Sequence, residues 1–216
     1  MVFLFLTELT DFRIRLLIYK KIQIFCMDKF SKLRPKTETE KKDKELFSKG
    51  PLKVIEFEDW SIIKTKDCIL CIPILIETNQ VILRHEYIPT FKYVDGQEYH
   101  ATIVAGGIEP GEDPKTALLR ELEEEAGIVL REDYNEFEEL KPFFLTKGSA
   151  NKAYPFILPL NERDYQEVMA KGDGSKAESM SKAVKVDIKY LESVNFSDLA
   201  SSYMALKVKE YLNLLK

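Results

Sequence analysis

The most constraining feature of this chain is a crowd of acids at one end of an expected helix. In GGIEPGEDPKTALLRELEEEAGI, Gly106 to Ile128, a glycine turn leads into Glu121, Glu123, Glu124 and Glu125 within a turn and a half. Like charges at helical spacing cost about 0.2–0.5 kcal/mol per pair unless something offsets them. Asp113-Pro114 predicts the helix start, an N-cap acid followed by proline at the first helical position. Gly127 predicts its stop. With about 100° per residue, Glu121, Glu124 and Glu125 share one face at i, i+3 and i+4. Leu118, Leu119, Leu122 and Ala126 fill the neighbouring sector and are expected to dock on a sheet. Arg120 flanks the acids and can fork onto Glu112 from the preceding loop. Hard oxygen ligands of this kind suit Mg²⁺ or Mn²⁺. Mg²⁺ shares its shell with water and phosphates, so the cluster implies a phosphorylated substrate. For a bare ExxEE, a solvated acidic helix face would be the better reading.

The remainder of the chain sets limits on that reading. Its formal charge of −4 over 216 residues offers no electrostatic reason to expect nucleic acid as a partner. Three cysteines, Cys26, Cys68 and Cys71, do not form a secreted disulfide framework, and the expected location is cytoplasmic. Cys68-x-x-Cys71 lies inside CILCIPILI. A zinc site would need two further ligands, and His85 and His100 are the only histidines. Two small core residues are the expectation, and both histidines are expected to be structural.

The segment from Met1 to Cys26 is apolar-rich but interrupted by Glu8, Asp11, Arg13, Arg15, Lys20 and Lys21. It falls short of a membrane span and lacks the marks of a secretory signal. A packing helix, a weak membrane-surface helix and translation upstream of a natural start at Met27 are the readings; the last is favoured, and no membrane partner is expected. Residues 1–50 read as an N-terminal extension ending in a charged linker, with the boundary near Gly50-Pro51 and the main domain over 51–216.

After Pro51 the signals turn to β. VIEFEDW, SIIKT, CILCIPILI and VILRHEYI read as strands, the last two split by Thr78-Asn79. Residues 91–104 read as a hairpin around Asp95-Gly96. Strands are expected near 137–145, 154–160 and 184–191, a helix plus a mobile loop over 161–183, and a last amphipathic helix over 197–215. This order suggests a mixed sheet between helical layers.

Gly106, Glu112, Arg120, Glu121, Leu122, Glu124, Glu125, Gly127 and Ile128 match the pattern G-x5-E-x7-R-E-U-x-E-E-x-G-U, with U a bulky aliphatic. That is the Nudix box, and the chain resembles a Nudix hydrolase. The resemblance implies an α+β fold, the Nudix α/β/α sandwich, and hydrolysis of a nucleoside diphosphate linked to another group. By match to the box, Glu121, Glu124 and Glu125 would hold Mg²⁺ or Mn²⁺, with the backbone carbonyl of Ala105 as a further ligand. Glu112 and Arg120 would orient those acids.

Beyond the box, ILRHEYIP, VAGGIEPGE, LKPFFLTKGS and SSYMALKVKEYLNLL resemble the ADP-ribose pyrophosphatase branch. The departures are Val104 where proline is usual and a loop TKGSANK without the acid often found there; other nucleotide sugars therefore stay open. So do nucleoside triphosphates, dinucleoside polyphosphates, capped RNA and a non-catalytic nucleotide-binding module. The branch implies a homodimer and a glutamate base on a mobile loop. Glu162, Glu167, Asp173 and Glu178 are candidates, with Glu178 preferred for its spacing to the following strand; Glu121 is the alternative base. Arg84 could clamp a phosphate, or be a strand-end surface arginine. Trp60, the only tryptophan, could stack on an adenine, with a core or dimer-interface position favoured.

Overall fold

The computed structural model describes residues 43–214. The N-terminal apolar stretch, Met27 and the first part of the charged segment lie outside the described residues. Asp43–Val208 forms one compact unit.

The first three strands make a small antiparallel sheet. β1 (Asp43–Lys49) pairs with β2 (Leu52–Phe57), which pairs with β3 (Trp60–Lys64). Gly50, with φ 56°, turns the β1–β2 hairpin. The last part of the expected extension is therefore β1 itself, and Gly50-Pro51 lies inside a hairpin. β3 is tied onward by Ile63 N–H donating to the Gly148 carbonyl at 2.8 Å and Ala150 N–H to the Ile63 carbonyl at 2.8 Å.

The main sheet is mixed. β4 (Cys68–Leu75) runs parallel to β11 (Lys152–Leu160) and antiparallel to β5 (Gln80–Tyr87) and β7 (Val104–Gly107). β5 also pairs with β6 (Tyr99–Thr102) and β13 (Lys182–Asp187). Two-residue strands β9 (Glu138–Glu139) and β10 (Phe143–Phe144) flank β11. β4 is buried along nearly its whole length, as a strand covered on both faces must be. Ile69, Cys71 and Leu75 join Leu118, Leu122, Phe156, Leu158 and Leu160 in the main core. Leu70, Ile72 and Ile74 are buried as well. The C-terminal helix α4 (Leu199–Leu214) buries Ser201, Met204 and Val208, and its Tyr203 meets Phe143 edge-on at 4.8 Å. The result is the expected α+β architecture, a mixed sheet between helical layers.

Several local expectations are corrected. The Asp95-Gly96 hairpin does not form. Pro89–Asp95 is helix α1, with proline in its first turn and Gly96 closing it at φ 79°. A left-handed glycine serves a helix C-terminus as readily as a hairpin turn, and Pro89 decides for the helix. The 161–183 segment contains a short 3₁₀ turn and then strand β12 (Tyr165–Glu167), which pairs with β8 (Ile128–Leu130). Only Lys176–Ser179, helix α3, is α-helical there. The strand expected to reach 191 ends at Asp187 and gives way to a 3₁₀ turn.

The bland readings of cysteine and histidine agree with the structure. Cys68 and Cys71 are free thiols. Burial is the main cause pushing Cys68 up to about 11 and raising Cys71 further. His100 Nδ1 meets Ser197 Oγ at 2.6 Å, and His85 stacks on Tyr99 with ring centroids 5.0 Å apart. Among the described residues, no helix is long and apolar enough to cross a membrane.

Candidate active site

The acidic helix is built as its capping residues dictate. Asp113 accepts from the backbone N–H of Lys115 at 2.9 Å and of Thr116 at 3.2 Å, and Pro114 opens helix α2 (Pro114–Glu121). Ala117 and Leu118 are fully buried against the sheet, whereas Leu119 is 48% exposed. Leu119 therefore leaves the docking face assigned to it from spacing, and Ala117 takes that place. The α-helix also ends early. Leu122–Ala126 is a π turn, in which Gly127 N–H bonds to the carbonyl of Leu122, five residues back. Gly127 sits at φ 65°, and a Cβ there would collide with the Val168 carbonyl. Single π turns inside helices recur at functional sites. This one buries Glu125 beside Glu121 while Glu124 stays half-buried.

Two arginines take up the acids. Arg120 forks onto Glu112, Nε to Oε1 at 3.1 Å and Nη2 to Oε2 at 3.2 Å. Its Nη1 also donates to Glu121 at 2.7 Å and Glu124 at 3.0 Å, and Nη2 reaches the Gly107 carbonyl at 2.8 Å. The expected fork is present, and one guanidinium orients three acids. The Arg120 hydrogen bond holds Glu112 below its ordinary carboxylate value, and the same bond raises Arg120. Arg84 is the second arginine. It is 3% exposed, which removes the surface reading. Its Nη1 donates to the Glu125 carbonyl at 2.6 Å, and its Nη2 stands 3.6 Å from Glu125 Oε1. A charge inside the apolar run VILRHEYI was the available sign of a buried partner.

The opposite wall is β7. Ala105 N–H donates to Glu125 Oε2 at 3.0 Å, which puts the Ala105 backbone beside the acids. Gly106 lies against Glu121, where a Cβ would occupy the space of the carboxyl group. Burial pushes Glu125 up to about 8, outweighing the Arg84 charge and the Ala105 hydrogen bond. Glu121 is raised by the same cause. These buried acids are short of positive charge, and their all-oxygen donor set fits a hard divalent cation. In the arrangement seen, the two guanidinium groups engage the carboxylates. Among the described residues, no three His, Cys, Asp or Glu side chains stand gathered as a metal-holding set.

Glu178 belongs to this neighbourhood. It lies on α3, accepts from the Asp173 N–H, and is raised chiefly by burial. The charges of Glu124 and Arg84 both act on it, and its own charge acts on Glu121. The Gly172 N–H donates to the Glu124 carbonyl at 3.0 Å, docking the loop on the π turn. The other loop acids are engaged elsewhere: Glu167 with Lys185 at 2.5 Å, and Asp173 with the Ser175 N–H at 2.6 Å. Glu162 offers its own N–H to Glu77 at 3.2 Å. Trp60 is 63% exposed at the start of β3, so the core reading fails, and no contact joins it to the carboxylates among the described residues.

Comparison with known proteins identifies the family and the fold. The NUDIX domain family model matches residues 65–181, more than half of the chain. An RNA pyrophosphohydrolase from a Nitratiruptor species is 49% identical over 51 residues, which are 24% of this chain and 33% of that relative. The chain thus matches about a third of the length of that relative. A crystal structure of ADP compounds hydrolase shares the fold at TM-score 0.58 and 19% identity, over 83% of this chain and 97% of that one. With the family match extending well beyond the box into the strands and the loop that carry the site, the chain belongs to the Nudix family of hydrolases.

Proposed function

We propose that this Nudix hydrolase cleaves the diphosphate of ADP-ribose or a related nucleotide sugar, giving a nucleoside monophosphate and a sugar phosphate. The observation that carries the reading is Glu178, which accepts from the Asp173 N–H on the loop that Gly172 docks onto the Glu124 carbonyl at 3.0 Å. The fold shared with ADP compounds hydrolase supports the same substrate class.

Glu121, Glu124, Glu125 and the Ala105 carbonyl would hold Mg²⁺, with Mn²⁺ as a substitute. Such a cation neutralises diphosphate oxygens and acidifies water. The chain's own groups do the rest. Glu178 accepts the proton of the attacking water, with Glu121 as the other candidate base; burial raises both toward the working pH, as general-base chemistry requires. Arg120 and Glu112 keep the acids oriented. Trp60, on the exposed β3 edge, is assigned to the adenine; Arg84, whose residue type suits a phosphate contact, is turned onto Glu125 instead. A homodimer in the cytoplasm completes the proposal. Exposed Phe47 and Ile63, which share one face of the small sheet through their common register partner Val54, support self-association, which sedimentation would measure.

A second reading, pyrophosphate removal from RNA ends, is favoured by the local match to an RNA pyrophosphohydrolase. Product analysis with Mg²⁺ separates the two. AMP and ribose 5-phosphate from ADP-ribose support the first; pyrophosphate release from triphosphate-ended RNA, without ADP-ribose turnover, supports the second. Glu178→Gln should lower kcat on ADP-ribose by about 10²–10⁴-fold and leave Mn²⁺ binding unchanged. Near-normal kcat would transfer the base role to Glu121. A non-catalytic nucleotide-binding module would bind a panel member and turn over none.

A further inference from the structure

Arg84 sits in mid-β5, opposite Thr102 of β6 and Ala183 of β13, and is closed off from solvent. Its residue type and strand position suit a phosphate clamp. A clamp needs an open guanidinium, and this one is turned onto the π turn. Its Nη1 holds the Glu125 carbonyl at 2.6 Å, and its Nη2 is ion-paired to the Glu125 carboxylate at 3.6 Å. The other oxygen of that carboxylate accepts from Ala105 N–H at 3.0 Å. One side chain from β5 thus fixes both the backbone and the carboxylate of Glu125, and through it the Ala105 segment of β7.

The remaining donor is unusual. Arg84 Nε is buried with no hydrogen-bond partner, the one such side-chain N or O atom among the described residues. An unsatisfied buried donor is costly, and buried ion pairs are often replaceable by apolar side chains without loss of stability. Stability is therefore a poor reason to keep an arginine here. Its two engaged donors both act on a single residue, Glu125.

We propose that Arg84 is a positioning residue that registers Glu125 for the divalent cation. This rests on the reading of the site as a cation-dependent hydrolase. Arg84 would act through Glu125, and its fork shape would matter more than its charge. Removing a buried positive charge by itself would favour cation binding; losing the registration would weaken it. The two effects have opposite signs, so one binding measurement separates them.

The experiment compares wild type, Arg84→Lys and Arg84→Gln for Mn²⁺ binding by electron paramagnetic resonance without substrate, and for kcat and KM on ADP-ribose. For Arg84→Lys, which keeps the charge and loses the fork, the Mn²⁺ dissociation constant should rise about 10–100-fold. Its kcat should fall while KM stays within about threefold. In the Glu125→Gln background, Arg84→Lys should have little further effect, because residues acting as one unit are not additive. Unchanged or tighter Mn²⁺ binding in Arg84→Lys overturns the proposal, as does a raised KM with normal Mn²⁺ binding, the signature of a phosphate clamp. If wild type binds no Mn²⁺ and turns over no panel nucleotide, the cation-dependent reading fails first and takes this inference with it. If the variants do not fold, the wild-type Arg84 Nε–H resonance decides. A shift with Mg²⁺ and none with AMP supports positioning; the reverse overturns it.

Discussion

The π turn at Leu122–Ala126 and the small sheet β1–β3 depart from the usual rule of burial in opposite directions. In the turn, Glu125 is 5% exposed; in the sheet, Trp60 is 63% exposed, and Leu46 and Phe47 of the same sheet are exposed too. A buried acid and an exposed tryptophan are each more informative than an exposed acid or a buried leucine. The surroundings differ as well. Arg120 donates to Glu124 and to neighbouring Glu121, and Glu125 has the Ala105 N–H and the Arg84 guanidinium beside it. The sheet is laced by exposed ion pairs such as Lys53–Glu45 at 2.8 Å and Lys44–Glu56 at 3.2 Å. Exposed pairs of that kind contribute about 0–1 kcal/mol. The turn buries charge among paired groups, whereas the sheet leaves apolar side chains open to solvent.

The largest test of this contrast is on the turn. Glu124→Gln and Glu125→Gln should each lower turnover by about 10³-fold, as removal of a group that stabilises transition-state charge does. Both should keep the fold by circular dichroism, since an amide is cheaper to bury than a carboxylate. Near-normal turnover in both variants removes the metal assignment. Gly106→Ala should follow, with about 10²-fold lower activity and about 1–3 kcal/mol lower stability, because its Cβ competes with the Glu121 carboxyl group. Chemical denaturation together with steady-state kinetics would register both losses; an active and equally stable variant would show that Glu121 has freedom to move.

On the sheet side the effect should be smaller and of another kind. Trp60→Ala should change stability by no more than about 0.5 kcal/mol while raising KM for an adenine nucleotide about tenfold, the scale of one stacking contact. As the only tryptophan, Trp60 also reports directly: adenine nucleotide should quench its fluorescence. Unchanged KM and emission would remove the adenine assignment and leave self-association through the face of Phe47 and Ile63 as the use of this sheet. The smallest effect concerns the core beneath the turn. Burial raises the Cys71 thiol, so it stays protonated at pH 8 and should resist iodoacetamide until the chain unfolds. Its folded pKa lies above the unfolded value of 9.0. That contribution to stability is present below pH 9 and declines as pH rises above it, because only the unfolded thiol then ionises. Mass spectrometry after labelling in native buffer and in urea checks this.

Much of the site was legible as a linear pattern. Asp113, Pro114 and Gly127 marked the ends of the acidic helix segment through local backbone chemistry, which acts within a few residues. The Arg120–Glu112 fork was legible for the same reason, since both groups lie in one short loop-helix unit. The apolar runs of β4 and β5 announced buried strands. The Asp95-Gly96 turn was misread because one left-handed glycine serves two kinds of turn, and the upstream Pro89 decides between them.

The amino-acid sequence by itself determined the family and the position of the acidic helix between its capping residues, because these depend on spacing along the chain. Tertiary structure alone decided that the last turn is π, that Leu119 faces outward and that Trp60 is exposed. It alone joined Arg84 to Glu125 across 41 residues of sequence. It also brought the Glu178 loop against the turn through Gly172 and Glu124. These are contacts between distant segments, and their energies come from burial and charge pairing that no local pattern encodes.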